Sequence, residues 1–368
     1  MDDKLTSPSE LLATVDQLIR PEIKALSAYH VPPADNMLKL DAMENPFNWP
    51  GRLQAEWFEA LKNVSVNRYP DPAAQSVKDK LRQVMEVDDR FDIMLGNGSD
   101  EIIQIIAMAL AGTGRVVMAP EPSFVMYAMI AKFVGMEYVG VPLKEDFTLD
   151  LTAFLTAIEI HQPSLVFLAQ PNNPTGNLFE ADDVRKIIES TSGLVVLDEA
   201  YMAFTDSDLL PMLEAYSNVV VMRTVSKVGL AGLRLGMLVG EHAWLNEFDK
   251  IRLPYNINVL TQASAEFALT HYDDLLEQTK LIRNERNRVS SALEQFEGFT
   301  VFPSEANFLL VRVTMANIGA RDIFEKLKAE GILIKCLDGG HPLLKGCLRL
   351  TIGAPAENDR LLSALKAY

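Results

Sequence analysis

The chain reads as an α/β protein: a mostly parallel sheet covered by helices on both faces, followed by a smaller α+β unit. Three observations lead there. Short apolar runs recur through the middle of the chain, with amphipathic helical stretches between several of them. That alternation is the pattern of parallel strands joined by crossover helices. The runs are apolar throughout, as in strands buried on both faces. The pattern then changes near residue 270, where a long charged amphipathic stretch begins.

Taken in order, the first forty or so residues are turn-rich and include Tyr29-His30-Val31-Pro32-Pro33. Residues 1–40 are expected to form an arm that packs on the small domain or on a dimer partner. Residues 41–270 form the expected large domain. Its strands are read at Val116–Ala119, Tyr138–Val141, Leu165–Ala169, Leu194–Leu197, Val219–Met222 and Leu235–Val239, and a further apolar run spans Ile93–Leu95. Helical patterns include Asp100–Leu110, Phe124–Val134 and Ala181–Glu189. Residues 271–368 form the expected small domain. It begins with one long helix over Tyr272–Phe296. A strand at Phe308–Val313, a helix near Arg321–Glu330, strands at Ile332–Cys336 and Leu348–Ile352, and a final helix follow. A length of 368 residues suits two domains.

Composition narrows the partners. A formal net charge of −16, with Lys and Arg scattered, disfavours nucleic acid and anionic membrane surfaces. The two cysteines, Cys336 and Cys347, form no CxxC and have no histidine cluster beside them. A disulfide framework and a metal site are therefore not expected. The start MDDKLTSPSELL lacks the basic and apolar pattern of a secretory signal, and no stretch is long and apolar enough to span a bilayer. A cytoplasmic protein is expected.

Four motifs carry the chemistry. In the first, Gly96-Asn97-Gly98-Ser99-Asp100-Glu101 lies between an apolar run and a helical pattern, with Ser99 a candidate N-cap. Backbone N–H groups at such a helix start bind phosphate, although a capped helix without ligand explains the same residues. The second, Gln170-Pro171-Asn172-Asn173-Pro174-Thr175-Gly176-Asn177, follows a buried strand, where open α/β sheets gather ligands. A rigid turn is the plainer explanation.

In the third motif, Asp198 ends the apolar strand Leu194–Leu197. A carboxylate there needs a hydrogen-bonding or cationic partner. A protonated pyridine nitrogen would serve; so would an arginine or a helix N-terminus. In the fourth, Arg223-Thr224-Val225-Ser226-Lys227 leads into Gly229-Leu230-Ala231-Gly232-Leu233-Arg234. A lysine in apolar surroundings loses its proton readily, as a Schiff-base lysine must. Ser226 and Arg234 are suited to a phosphate. Each motif alone is modest; their order along one sheet makes a strong composite.

In that order the sequence resembles the fold type I, aspartate-aminotransferase-like pyridoxal-phosphate enzymes. Within these class II aminotransferases it is most similar to the histidinol-phosphate aminotransferases. The resemblance runs from about Pro21 to the C-terminus. It rests on Tyr29, Glu44-Asn45-Pro46, Asn67-Arg68-Tyr69-Pro70-Asp71-Pro72, Gly98–Glu101, Pro171–Gly176, Asp198–Tyr201, Ser226-Lys227 and Leu348–Gly353.

The resemblance implies a seven-stranded sheet in the large domain, pyridoxal 5'-phosphate as cofactor and a homodimer. It implies that Lys227 holds the cofactor as a Schiff base and that Asp198 pairs with the pyridine nitrogen. Asn173 and Tyr201 would bond the ring hydroxyl, and Phe124 would stack on the ring. Ser99 and Asp100 backbone N–H groups, with Thr224, Ser226 and Arg234, would grip the phosphate, joined by Tyr69 from the partner subunit. Arg349 would bind the acidic group of the substrate, supported by Asn307, with Tyr29, Asn45 and Lys335 nearby. The implied reaction takes L-histidinol phosphate and 2-oxoglutarate to imidazole acetol phosphate and L-glutamate, in histidine biosynthesis.

Three positions depart from the family pattern. The segment after Lys227 is one residue shorter than the commonest form. Lys335 stands where an arginine is frequent, and Met43 where relatives often carry asparagine. An aromatic or other amino-acid aminotransferase and a threonine-phosphate decarboxylase share these motifs and are the rival activities. A non-enzymatic regulator is a third, against which Lys227, Asp198, Asn173 and Arg234 all stand intact.

Overall fold

The protein is described from a computed structural model covering residues 8–28 and 32–368. Its strands are β1 (Leu38–Lys39), β2 (Asp92–Asn97), β3 (Val116–Glu121), β4 (Glu137–Pro142), β5 (Leu165–Ala169), β6 (Leu194–Asp198), β7 (Val219–Thr224) and β8 (Leu235–Gly240). They continue with β9 (Phe299–Val301), β10 (Phe308–Val313), β11 (Ile332–Leu333), β12 (Lys335–Cys336) and β13 (Cys347–Thr351).

A seven-stranded sheet runs in the order β2-β8-β7-β6-β5-β3-β4. Strand β8 is antiparallel to both its neighbours, and the other pairs are parallel. Successive side chains of β5 show why the apolar runs are continuous. Leu165, Phe167 and Ala169 join one core cluster, and Val166 and Leu168 join the other. Each face therefore needs its own cover. Helix Gly98–Leu110 covers one face with Ile102, Ile103, Ile105 and Ile106. Helix Ala181–Ser190 covers the other with Val184, Ile187 and Ile188. Each such aliphatic side chain stabilises the layer by about 1.5–3 kcal/mol.

A second core gathers the C-terminal elements. A four-stranded sheet, β12-β13-β10-β9, packs with helices Tyr272–Leu293, Ala320–Ala329 and Pro355–Leu365. Leu40 and Met43 from near the start of the chain enter this core, as do Tyr201 and Phe204. Strand β1 pairs in parallel with β11, fastening the early segment to the late one.

Several boundaries differ from the sequence reading. The run Ile332–Cys336 is not one strand: Leu333 pairs with Lys39, whereas Lys335 pairs with Arg349 in the other sheet. The break falls at Ile334, whose side chain is buried in the second core. The long helix ends at Leu293 and not at Phe296, where an N–H from Phe296 to the Leu293 carbonyl at 3.0 Å tightens the last turn. The helix read from Phe124 starts at Met126, leaving Phe124 on the loop. The helix read from Asp100 starts at Gly98, so Asn97 is the N-cap and Ser99 is not. Helices Gly51–Leu61 and Gln75–Val84 add to the elements read from the sequence.

Candidate active site

The parallel arrangement sends the carboxyl ends of β3, β5, β6 and β7 to one edge of the sheet, where the loop after β2 also arrives. These are the loops of the four motifs. A cleft of about 100 Å³ is lined by Ser99, Asp100, Phe124, Ala200, Thr224, Ser226, Lys227 and Arg234. A larger cavity of about 480 Å³ adjoins it, lined among others by Phe124, Asn173, Glu121, Lys335, His341 and Arg349. Phe124 lines both, so its ring is a shared wall.

The cleft has one anion-binding end. Gly98 lies at φ +74, and a Cβ there would come within 2.6 Å of the Arg234 guanidinium. Glycine thus lets the helix start approach Arg234. Arg234 meets Asp100 at 3.2 Å. Thr224 and Ser226 hydroxyls are 2.9 Å apart. The Ser99 hydroxyl is buried without a hydrogen-bond partner among the described residues, a costly state unless a ligand oxygen meets it.

Asp198 marks the floor. It is buried, and no cationic side chain among the described residues forms an ion pair with it. The Tyr127 hydroxyl donates to it at 2.5 Å and the Ala200 N–H at 3.0 Å. Burial pushes its carboxyl up to about 6, against the pull of those two bonds. The arginine considered as its partner belongs to the next residue: Arg223 pairs with buried Glu199 at 2.7 Å. Tyr127 was not evident from sequence. Its one signal is a hydroxyl on the apolar face of helix Met126–Val134, where it stacks on Phe167 at 4.4 Å.

Lys227 sits in the turn after β7. Its Nζ donates to the Ala42 carbonyl at 3.5 Å and lies 5.6 Å from the centre of the Tyr201 ring. Burial, helped by the Arg349 and Arg234 charges, lowers its ammonium to about 8. Asn173 donates to the Tyr201 hydroxyl at 3.1 Å and accepts from Arg349 at 2.6 Å. One amide thereby links the two sides of the site. Burial also raises the Tyr201 phenol, keeping it protonated.

Residues Leu40 to Met43 present four successive carbonyls. These accept from the Thr351 N–H at 3.1 Å, Arg349 at 2.8 Å, Lys227 at 3.5 Å and Asn307 at 2.9 Å. Met43 itself has φ 52, a left-handed conformation that asparagine adopts more readily than methionine.

The remaining candidates divide. Lys335 lines the larger cavity and is paired across the sheet with Arg349. Asn45 does not line it: its amide donates to the Val228 carbonyl at 3.0 Å and to Gln278 at 2.9 Å. It braces the shortened loop after Lys227. Tyr69 is 80% exposed and stacks on Tyr255 at 4.4 Å. Tyr29 lies outside the described residues.

The side chains fit pyridoxal phosphate. They offer an amine with a lowered pKa, a buried carboxylate for a ring nitrogen, an aromatic wall, and hydroxyl, guanidinium and helix-start donors for a phosphate.

Comparison with known proteins agrees. The family model for aminotransferase class I and II matches residues 35–365. Histidinol-phosphate aminotransferase 2 of Nitrosococcus oceani is 53% identical over 353 residues, covering 96% of this chain and 98% of that protein. Histidinol-phosphate aminotransferase of Chromobacterium violaceum is 51% identical over 355 residues, covering 96% and 99%. Among solved structures, histidinol-phosphate aminotransferase from Sinorhizobium meliloti in complex with pyridoxal-5'-phosphate superposes with a TM-score of 0.84 at 28% identity, covering 95% of this chain and 97% of that one. With the motifs, the sheet and these full-length matches in agreement, the chain belongs to the class I and II aminotransferases.

Proposed function

We propose that the protein is a pyridoxal-phosphate aminotransferase that moves the amino group of L-histidinol phosphate to 2-oxoglutarate. The observation that carries the reading is Asp198, a buried carboxylate without an ion pair among the described residues, in the same site as an amine of lowered pKa. Relatives about half identical over nearly their full length bear the histidinol-phosphate name.

Bound pyridoxal phosphate supplies an electron sink for the charge left when the amine-bearing substrate carbon loses its proton. The residues of this chain do the rest. Lys227 is the attachment point. Its Nζ, whose ammonium burial lowers to about 8, accepts the substrate proton and returns it as general acid. Asp198 would accept a hydrogen bond from a protonated ring nitrogen, and Tyr127 fixes the carboxylate for it. Asn173 and Tyr201 would orient the ring hydroxyl. Ser99, Asp100, Thr224, Ser226 and Arg234 would hold the phosphate. Arg349 and Lys335 bind the anionic end of the donor and then of the dicarboxylate acceptor, Arg349 with a fork that fits either anion.

Residues 41–270 and 271–368 act as two bodies around this site, with residues 1–40 as an arm. The protein works as a cytoplasmic homodimer. The exposed Tyr69, in a stretch of chain that also exposes Val66 and Phe58, supports a partner-facing surface from which Tyr69 would reach the other subunit's cofactor phosphate.

The test is spectroscopic. Protein loaded with pyridoxal phosphate should lose its visible band on addition of L-histidinol phosphate and regain it with 2-oxoglutarate. A persistent band would refute the donor. No visible band at all would refute the cofactor assignment.

A further inference from the structure

The larger cavity carries a feature that the transamination chemistry leaves unused. Glu121, the last residue of β3, lies in its wall with its side chain about one-third exposed. The carboxylate is held in place. It lies so close over Gly140 of the neighbouring strand β4 that a Cβ there would overlap it. Burial, with the neighbouring Glu121 carboxylate, raises the Tyr138 phenol well above its usual range. His341 faces it at 3.9 Å, longer than a hydrogen bond. The other nitrogen of that imidazole accepts the Leu343 N–H at 3.2 Å. Asp338, the other carboxylate in the lining, already accepts from the Gly346 N–H at 2.8 Å. Glu121 keeps acceptor capacity to spare, since an ionised carboxylate offers about four lone-pair sites.

The cavity is thus bipolar. Lys335 and Arg349 supply positive charge, and Glu121 supplies a fixed acceptor. A phosphate at the first and a ring N–H at the second would satisfy both. We propose that Glu121 is the specificity-determining residue for the donor's ring: its carboxylate, seated over Gly140 and beside Tyr138 in the cavity lining, accepts the N–H of an imidazole. The inference rests on the donor reading above and adds the residue that reads the ring. A phenyl ring at the same place leaves the carboxylate unpaired and desolvated. Sites built to hydrogen-bond a substrate N–H reject analogues lacking it far more strongly than apolar pockets reject an extra methylene.

The experiment compares kcat/KM for L-histidinol phosphate with that for L-phenylalaninol phosphate, the same ester with a phenyl ring. Wild type should prefer histidinol phosphate. Glu121→Gln should cut the ratio of the two constants about fivefold or more, because a charge-assisted hydrogen bond becomes one to a neutral amide oxygen. Gly140→Ala, which pushes the carboxylate aside, should lower the same ratio, so a poorly folding Gln variant does not remove the test. A ratio within about twofold of wild type in the folded variant, with wild type active on histidinol phosphate, overturns the role of Glu121 alone. Wild type inactive on histidinol phosphate overturns the donor reading and this inference together.

Discussion

Replacing Asp198 by asparagine should make the protein without cofactor more stable while crippling the enzyme. The carboxyl of Asp198 moves from its ordinary 3.8 to about 6 because burial penalises its charge. A raised acid binds more protons folded than unfolded, so folding loses stability as pH rises from 3.8 through 6. The shift of about 2 units corresponds to about 3 kcal/mol lost at pH 8. Asparagine is nearly isosteric, and the two bonds can survive. Its carbonyl accepts from the Ala200 N–H, and the Tyr127 hydroxyl can turn to accept from its amide. For a chain of this size, about 3 kcal/mol raises the midpoint by roughly 4 °C. The assay is thermal unfolding of cofactor-free wild type and Asp198→Asn at pH 8 and pH 5. The gain should shrink to roughly half at pH 5, where wild-type Asp198 is mostly protonated in the fold. A variant no more stable at pH 8, or a gain independent of pH, would refute the reasoning. With cofactor bound, the same variant should lose about 100-fold or more in turnover, having lost an electrostatic partner in a buried site.

The other predictions are shorter. Lys227→Ala should abolish turnover and leave fold and assembly intact; steady-state activity of the purified variant decides it. Tyr127→Phe removes one of the two bonds that lower the Asp198 carboxyl, so in the cofactor-free protein Asp198 should titrate higher than in wild type, read from the pH dependence of the unfolding midpoint. An unchanged dependence argues against it. Arg223→Met strands buried Glu199 without its cation and should cost about 3–5 kcal/mol in chemical denaturation. Tyr69→Phe should weaken cofactor retention by about 1 kcal/mol, read as a several-fold rise in the dissociation constant.

What sequence could show follows from where the information sits. Buried strands such as Leu165–Ala169 carry an unbroken apolar run because each face meets its own helix layer, and this strand appears where its run lies. Lys227, Asp198 and Asn173 stand in motifs whose residue types are improbable together. Tyr127 and Glu121 escape because their roles depend on partners 71 residues away or on a neighbouring strand. The break at Ile334 escapes for a similar reason, since an apolar run does not say that its two halves pair with different sheets. Asn45 reads as a substrate-binding asparagine, and sequence does not reveal that its amide also bonds the Val228 carbonyl and Gln278.

The four carbonyls of residues 40–43 have a consequence for tolerance to change. They are main-chain oxygens, so the acceptors do not depend on side-chain identity, although buried Leu40 and Met43 are also held by the core they enter. Spacing cannot vary in the same way. Removing one residue would advance every later oxygen by one residue, about 3.8 Å between consecutive Cα atoms. Arg349, Lys227 and Asn307 would then all face the wrong atom at once. The segment works like a ruler whose gradations matter more than its material, and evolution of this enzyme is freer to substitute there than to insert or delete.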